Sequence, residues 1–142
     1  MTRMLNLTEA SVLAMHTMAL LALRPGQRLS TIEITEIFGC SSNTLSKVMQ
    51  RLARSGLVRS QRGPTGGFVL IDEPEEITIL DIYEAIDGPI EEQGRLLASC
   101  RCKEVRCLLG RMVDEIGHDV RERLAGANLA ELAETMNLEE EG

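Results

Sequence analysis

The most constraining feature of this chain is one ordered run over residues 30–71: two capped helical segments with a glycine-containing turn between them, then a basic, glycine-rich hairpin. Ser30-Thr31-Ile32-Glu33 has the form of a capping box, because a serine hydroxyl and a glutamate three residues on satisfy each other's backbone amides. The helix it opens ends at Phe38-Gly39, and Ser41 or Ser42 caps a second helix reaching about Ser55. In that helix Leu45, Val48, Met49, Leu52 and Ala53 recur at i, i+3, i+4, i+7 and i+8, which makes one apolar stripe. Gly56 stops it. Residues 57–61 and 67–71 are short strands, joined by Arg62-Gly63-Pro64-Thr65-Gly66, whose glycines permit a tight turn.

Helix, turn, helix and basic ribbon in this order predict a winged helix-turn-helix. The polar face of helix 42–54 carries Asn43, Thr44, Ser46, Lys47, Gln50 and Arg51, groups suited to base edges and phosphates in a major groove. Ser41 and Ser42 stand at its N-terminus, where free amides and the positive dipole end favour phosphate. The ribbon, with Arg59, Arg62, Gly63, Thr65 and Gly66, is placed to follow the backbone or enter the minor groove.

Charge distribution supports that expectation although total charge does not. The chain is acidic, at −7 and pI 4.9, which taken alone speaks against a nucleic-acid partner. Residues 24–67, however, hold seven cations against Glu33 and Glu36, a local net of +5, leaving −12 for the rest. Aromatics make up 2% of the residues, so the core has to be aliphatic and the fold mainly helical.

Around this run, Thr8 is placed to cap a core helix ending near Leu23, and Arg24-Pro25-Gly26 ends it. His16 within it is expected to be a core histidine, and Cys40 in the turn a packing residue. The apolar run 12–23 is too short to span a bilayer, and no signal peptide is visible, so a cytoplasmic protein with reduced thiols is expected. Thr78 caps a helix to about Asp87, ended by Gly88-Pro89. A long helix over 107–124 carries Leu109, Met112, Val113, Ile116, Val120 and Leu124 at heptad-like spacing, which suggests a helix partner, and Asn128 caps a last helix over 129–136. The expected division is 1–76 for the DNA-binding part, 77–106 for a helix and cysteine-bearing sensor loop, and 107–142 for the dimerisation helix and tail.

Cys100, Cys102 and Cys107 fall within eight positions, spaced C-x-C-x4-C, beside Arg101, Lys103 and Arg106. Neighbouring cations favour the thiolate, which binds metal or attacks oxidants. An iron–sulfur cluster, a zinc site and a reversible thiol–disulfide switch are all open on these residues alone. No Cys–His–acid arrangement is apparent, so an enzyme is not expected.

The runs Asn43-Thr44-Leu45-Ser46-Lys47-Val48-Met49-Gln50-Arg51-Leu52, Ser55-Gly56-Leu57-Val58-Arg59-Ser60 and Arg62-Gly63-Pro64-Thr65-Gly66-Gly67-Phe68 resemble the Rrf-two family of bacterial regulators, which includes IscR-, NsrR- and CymR-type proteins. The resemblance continues through residues 77–89 and reaches Asn128-Leu129-Ala130-Glu131-Leu132. It implies a homodimer built on the long helix, a palindromic duplex DNA operator, and recognition by helix 42–54 with the wing set by Arg59 and Arg62. For the cysteines it implies a 2Fe–2S or 4Fe–4S cluster on Cys100, Cys102 and Cys107 with a fourth, non-cysteine ligand. The sequence departs from the family pattern there: Gly110 stands where IscR-type proteins place a histidine, and Val12 where NsrR-type proteins use an acid. His118, Glu104, Glu9 or a group from the partner subunit are the remaining candidates, and a cluster-free regulator controlled by thiol oxidation, zinc, a small ligand or a partner protein is the alternative.

Overall fold

The computed structural model describes residues 7–63, 66–90 and 108–136. Helix α1 spans Glu9–Leu23 and starts where Thr8 Oγ1 accepts the Ser11 backbone N–H at 3.1 Å. Helix α2 spans Thr31–Phe38; Ser30 Oγ accepts the Glu33 N–H at 3.2 Å, and Gly39 ends the helix in the left-handed region. Helix α3 spans Ser42–Arg54 with Ser41 as its cap. Strands β1 (Val58–Gln61) and β2 (Gly67–Leu70) pair antiparallel, Val58 opposite Leu70 and Gln61 opposite Gly67. A 3-10 turn at Pro74–Glu76 leads into α4 (Ile79–Asp87), and α5 (Leu108–Ala125) and α6 (Leu129–Thr135) complete the described elements. This is the mainly α architecture with a β-hairpin wing that the sequence predicts.

The core is aliphatic, as the scarcity of aromatic residues requires. Met18 and Leu20 of α1, Ile34 of α2, Leu45 and Leu52 of α3, Val58 of β1 and Ile82 of α4 all lie in one buried cluster. Each such side chain contributes about 1.5–3 kcal/mol relative to exposure. Helix α1 runs through the centre, but one edge, with Glu9, Val12 and His16 at i, i+3 and i+7, stays outside. His16 is therefore an exposed residue and not the core histidine expected; its ring lies tilted against Phe38, with centroids 6.0 Å apart.

Two associations join segments distant in sequence. Leu29 exchanges backbone hydrogen bonds with Phe68, at 3.2 and 2.8 Å, so the segment before α2 adds a third line to the wing. At the other end, Ile79 N–H donates to Ala127 O at 2.9 Å and Leu129 N–H donates to Ile77 O at 2.8 Å. Thr78 with Asp81, and Asn128 with Glu131, form complete capping boxes on either side of this junction. Helix α6 is thereby returned to α1, and Leu129 and Ala133 enter the same core.

Helix α5 is anchored through its C-terminal half. Val120 and Leu124 pack with Met15 against Leu80, Tyr83 and Ile90. Towards its N-terminus, Leu108, Leu109, Met112 and Ile116 are 66, 60, 47 and 45% exposed. Among the described residues, no helix is long and apolar enough to cross a membrane.

Candidate nucleic-acid interface

The stripe Leu45, Val48, Met49 and Leu52 pins α3 to the core, which fixes the side that faces out. Asn43, Lys47, Gln50 and Arg54 follow one another at three- and four-residue steps along that outward side, with Ser46 next to them, and all five are exposed. Among the described residues no carboxylate pairs with Lys47 or Arg54. Arg54 is absent from the residues singled out on sequence; its place four positions after Gln50 and seven after Lys47 is the signal that marks it.

The N-terminus of α3 is held by its own serine. Ser41 Oγ accepts the Thr44 N–H at 3.1 Å and donates to Thr44 Oγ1 at 2.8 Å. The half-buried Thr44 thus helps to brace the helix start, while Ser42 and Asn43 present exposed polar groups one residue further on.

Arg51 occupies the flank between the outward side and the buried stripe. Its Nη1 donates to the Ile86 carbonyl in the last turn of α4. The carbonyl end of a helix carries partial negative charge, so a guanidinium is favoured there. Asp87, the next residue, feels the Arg51 charge and lies beside the Ser11 and Thr8 hydroxyls, which favour its ionised form. Burial nevertheless raises its carboxyl above the ordinary 3.8, since desolvation outweighs these three favourable partners. One polar cluster so links the start of α1, the end of α4 and helix α3.

The wing is shaped by close backbone approach. A Cβ on Gly67 would lie 2.7 Å from the Leu29 carbonyl group, and one on Gly66 would collide with the Gln61 oxygen and lie 2.8 Å from the Gly63 oxygen. Gly63 itself has φ 118°, and its carbonyl accepts the Gly66 N–H at 2.8 Å to close the turn. Arg59 and Arg62 are exposed along β1 and just beyond it, and among the described residues neither has an ion-pair partner.

Thr65 and the three cysteines Cys100, Cys102 and Cys107 lie outside the described residues. Among the described residues, no three His, Cys, Asp or Glu side chains gather to hold a metal ion. Of the candidate fourth ligands, His118 is exposed on α5, 3.9 Å from Glu122. Glu9 shares the rim of a cavity of about 380 Å³ with His16, Cys40 and Thr44. Cys40 is half-buried and packs against the main core, in line with a packing role.

Comparison with known proteins places this geometry. A family model described as "Iron-dependent Transcriptional regulator", Rrf2, matches residues 7–135. The chain is 31% identical over 107 residues to the HTH-type transcriptional regulator NsrR of Shouchella clausii, covering 74% of this chain and 68% of that protein. It is also 31% identical over 103 residues to IscR of Photorhabdus laumondii, covering 70% and 61%. The solved structure of CymR, the global cysteine regulator of Bacillus subtilis, superposes with a TM-score of 0.77 at 27% identity, covering 94% of this chain and 99% of that one. The described wing and helix-turn-helix fit these regulators, and the chain belongs to the Rrf2 family of transcriptional regulators.

Proposed function

We propose that this regulator is a homodimer that reads a palindromic duplex operator through α3 and the wing, and that an iron–sulfur cluster on Cys100, Cys102 and Cys107 controls its affinity. The DNA-reading part is supported by the exposed line Asn43, Lys47, Gln50 and Arg54 beside the ribbon that bears Arg59 and Arg62. Ser41, Ser42 and Thr44 set the helix start against a phosphate, Gly63 and Gly66 shape the ribbon turn, and Thr65 is the hydroxyl residue that the sequence supplies between them for a phosphate contact. Dimerisation is supported by the uncovered apolar stripe at the start of α5.

The donor set supports the cluster: three thiols within eight residues, flanked by Arg101, Lys103 and Arg106, which offset thiolate charge. When bound, the cluster supplies a metal group responsive to redox, iron or nitric oxide status. The chain's own contribution is the relay. The cysteine segment lies between α4 and α5; Arg51 ties the end of α4 to the recognition helix, and α5 sets the spacing of two such helices in a dimer. Both half-sites must be met at once, so a small change in spacing alters affinity.

Likeness to CymR, a cysteine regulator by name, favours as a second reading a cluster-free protein controlled by thiol oxidation, zinc, a small ligand or a partner protein. Anaerobic purification followed by visible spectroscopy, iron and sulfide analysis, and DNA-binding titrations separates the two. Coloured protein whose cluster-loaded and cluster-free forms differ in affinity supports the cluster. Colourless protein, or equal affinity in loaded, stripped and triple Cys→Ala forms, overturns it.

A further inference from the structure

A second basic cluster lies at the root of the wing, apart from α3. The turn after α1 and the outer face of the ribbon enclose a cavity of about 380 Å³. Arg24 and Arg28 line it from the turn, Arg59 and Gln61 from β1, and Asp72 and Glu73 from the segment after β2. Arg24 is half-buried, whereas Arg28 and Arg59 are exposed. Despite the nearby acids, none of the three guanidiniums makes an ion pair or hydrogen bond among the described residues.

Three unpaired guanidiniums on one concave surface repel each other, and in a chain of net charge −7 that repulsion is not a general consequence of composition. Their planar forks match phosphate oxygens. Arg59 has Val69 as its cross-strand partner, so the neighbouring strand offers it no counter-charge. Position then selects the source of the phosphate. Arg59 is three residues before Arg62 on the strand that runs to the wing tip, a reach of roughly 10 Å. A duplex with its minor groove at Arg62 has flanking phosphates within such a distance of this root.

We propose that Arg24, Arg28 and Arg59 form a phosphate pocket that grips the DNA backbone just outside the segment contacted by α3 and the wing tip. Asp72 and Glu73 share the lining of the pocket and hold down its affinity. The proposal rests on the DNA-binding reading above.

The test uses the full-length protein, an operator duplex, and the same duplex trimmed at its flanks. Wild-type binding to the long duplex tests the DNA-binding reading by itself. If that binding is present, Arg24→Ala with Arg28→Ala weakens it several-fold and flattens the logarithmic salt dependence by about 1 for each phosphate that is no longer neutralised. The trimmed duplex is insensitive to the same changes, and Asp72→Asn with Glu73→Gln tightens binding to the long one. An unchanged salt slope in the double arginine variant, with an unchanged melting temperature confirming its fold, overturns the proposal. So does equal weakening on both duplexes. Titration with inorganic phosphate covers a free ligand as the source: thermal stabilisation abolished by the arginine changes, with DNA affinity unaffected, overturns the DNA assignment.

Discussion

Arg51 of α3 holds the carbonyl of Ile86, the penultimate residue of α4, by a hydrogen bond from its Nη1. A residue on the polar face of α3 thus braces the fold, and it does so at the point where the chain leaves α4 for the cysteine segment. Arg51→Ala is expected to cost about 1 kcal/mol, the value of an ordinary hydrogen bond and less than that of a buried charged one, because the side chain is exposed. Lys47→Ala and Gln50→Ala are expected to leave stability within about 0.5 kcal/mol and to weaken operator binding. Thermal melts alongside mobility-shift titrations check this; equal melting temperatures for all three variants would remove the bracing role.

Asp87 gives a pH signature with a definite sign. Its folded carboxyl titrates above the ordinary 3.8, first because of burial, so near pH 4 the folded state holds more protons than the unfolded one. The group therefore lowers stability once ionised, and that cost disappears as pH falls towards the unfolded value. As pH rises from about 4, the ordinary carboxyl value, Asp87→Asn is expected to remove a decline in stability that the wild type shows. Arg51→Ala is expected to steepen the same decline, since it removes a counter-charge. Urea denaturation over this rise in pH measures both, and identical pH slopes for the wild type and Asp87→Asn would contradict the assignment.

Gly67 is required by Leu29 and not by turn geometry. A methyl group there meets the Leu29 carbonyl at 2.7 Å, so Gly67→Ala forces the two backbones apart and weakens both hydrogen bonds between Leu29 and Phe68. The expected destabilisation is about 1–3 kcal/mol, with loss of operator affinity because the ribbon is displaced. Denaturant titration reads the first effect; wild-type stability in this variant would show that the close approach is absent in solution.

The stripe on α5 makes a separable prediction. Leu109→Glu with Ile116→Glu places charge on exposed positions that touch neither described core cluster. If a second copy covers them, the variant becomes monomeric, keeps its helical content, and loses the cooperative occupation of two half-sites. Light scattering coupled to size exclusion decides; an unchanged molar mass would rule this surface out as the dimer contact.

The elements themselves were legible in the sequence because their signals are local. Thr8, Ser30, Ser41, Thr78 and Asn128 all cap the helices expected of them, since a capping hydroxyl or amide acts within three residues of its own position. The stripe of α3 likewise fixed which side faces out, and with it the exposure of Asn43, Lys47 and Gln50.

Tertiary structure alone decided what depends on distant segments meeting. His16 lies outside because the edge of α1 that it shares with Glu9 and Val12 is left uncovered, which its apolar sequence neighbours do not reveal. Leu29 joins the wing, α6 returns to α1, and Arg51 reaches α4 across 35 residues of chain. Hydrogen-bond capping and helical periodicity act over a few residues and are written in order along the chain. Packing partners are chosen by which apolar and polar surfaces fit once those helices exist.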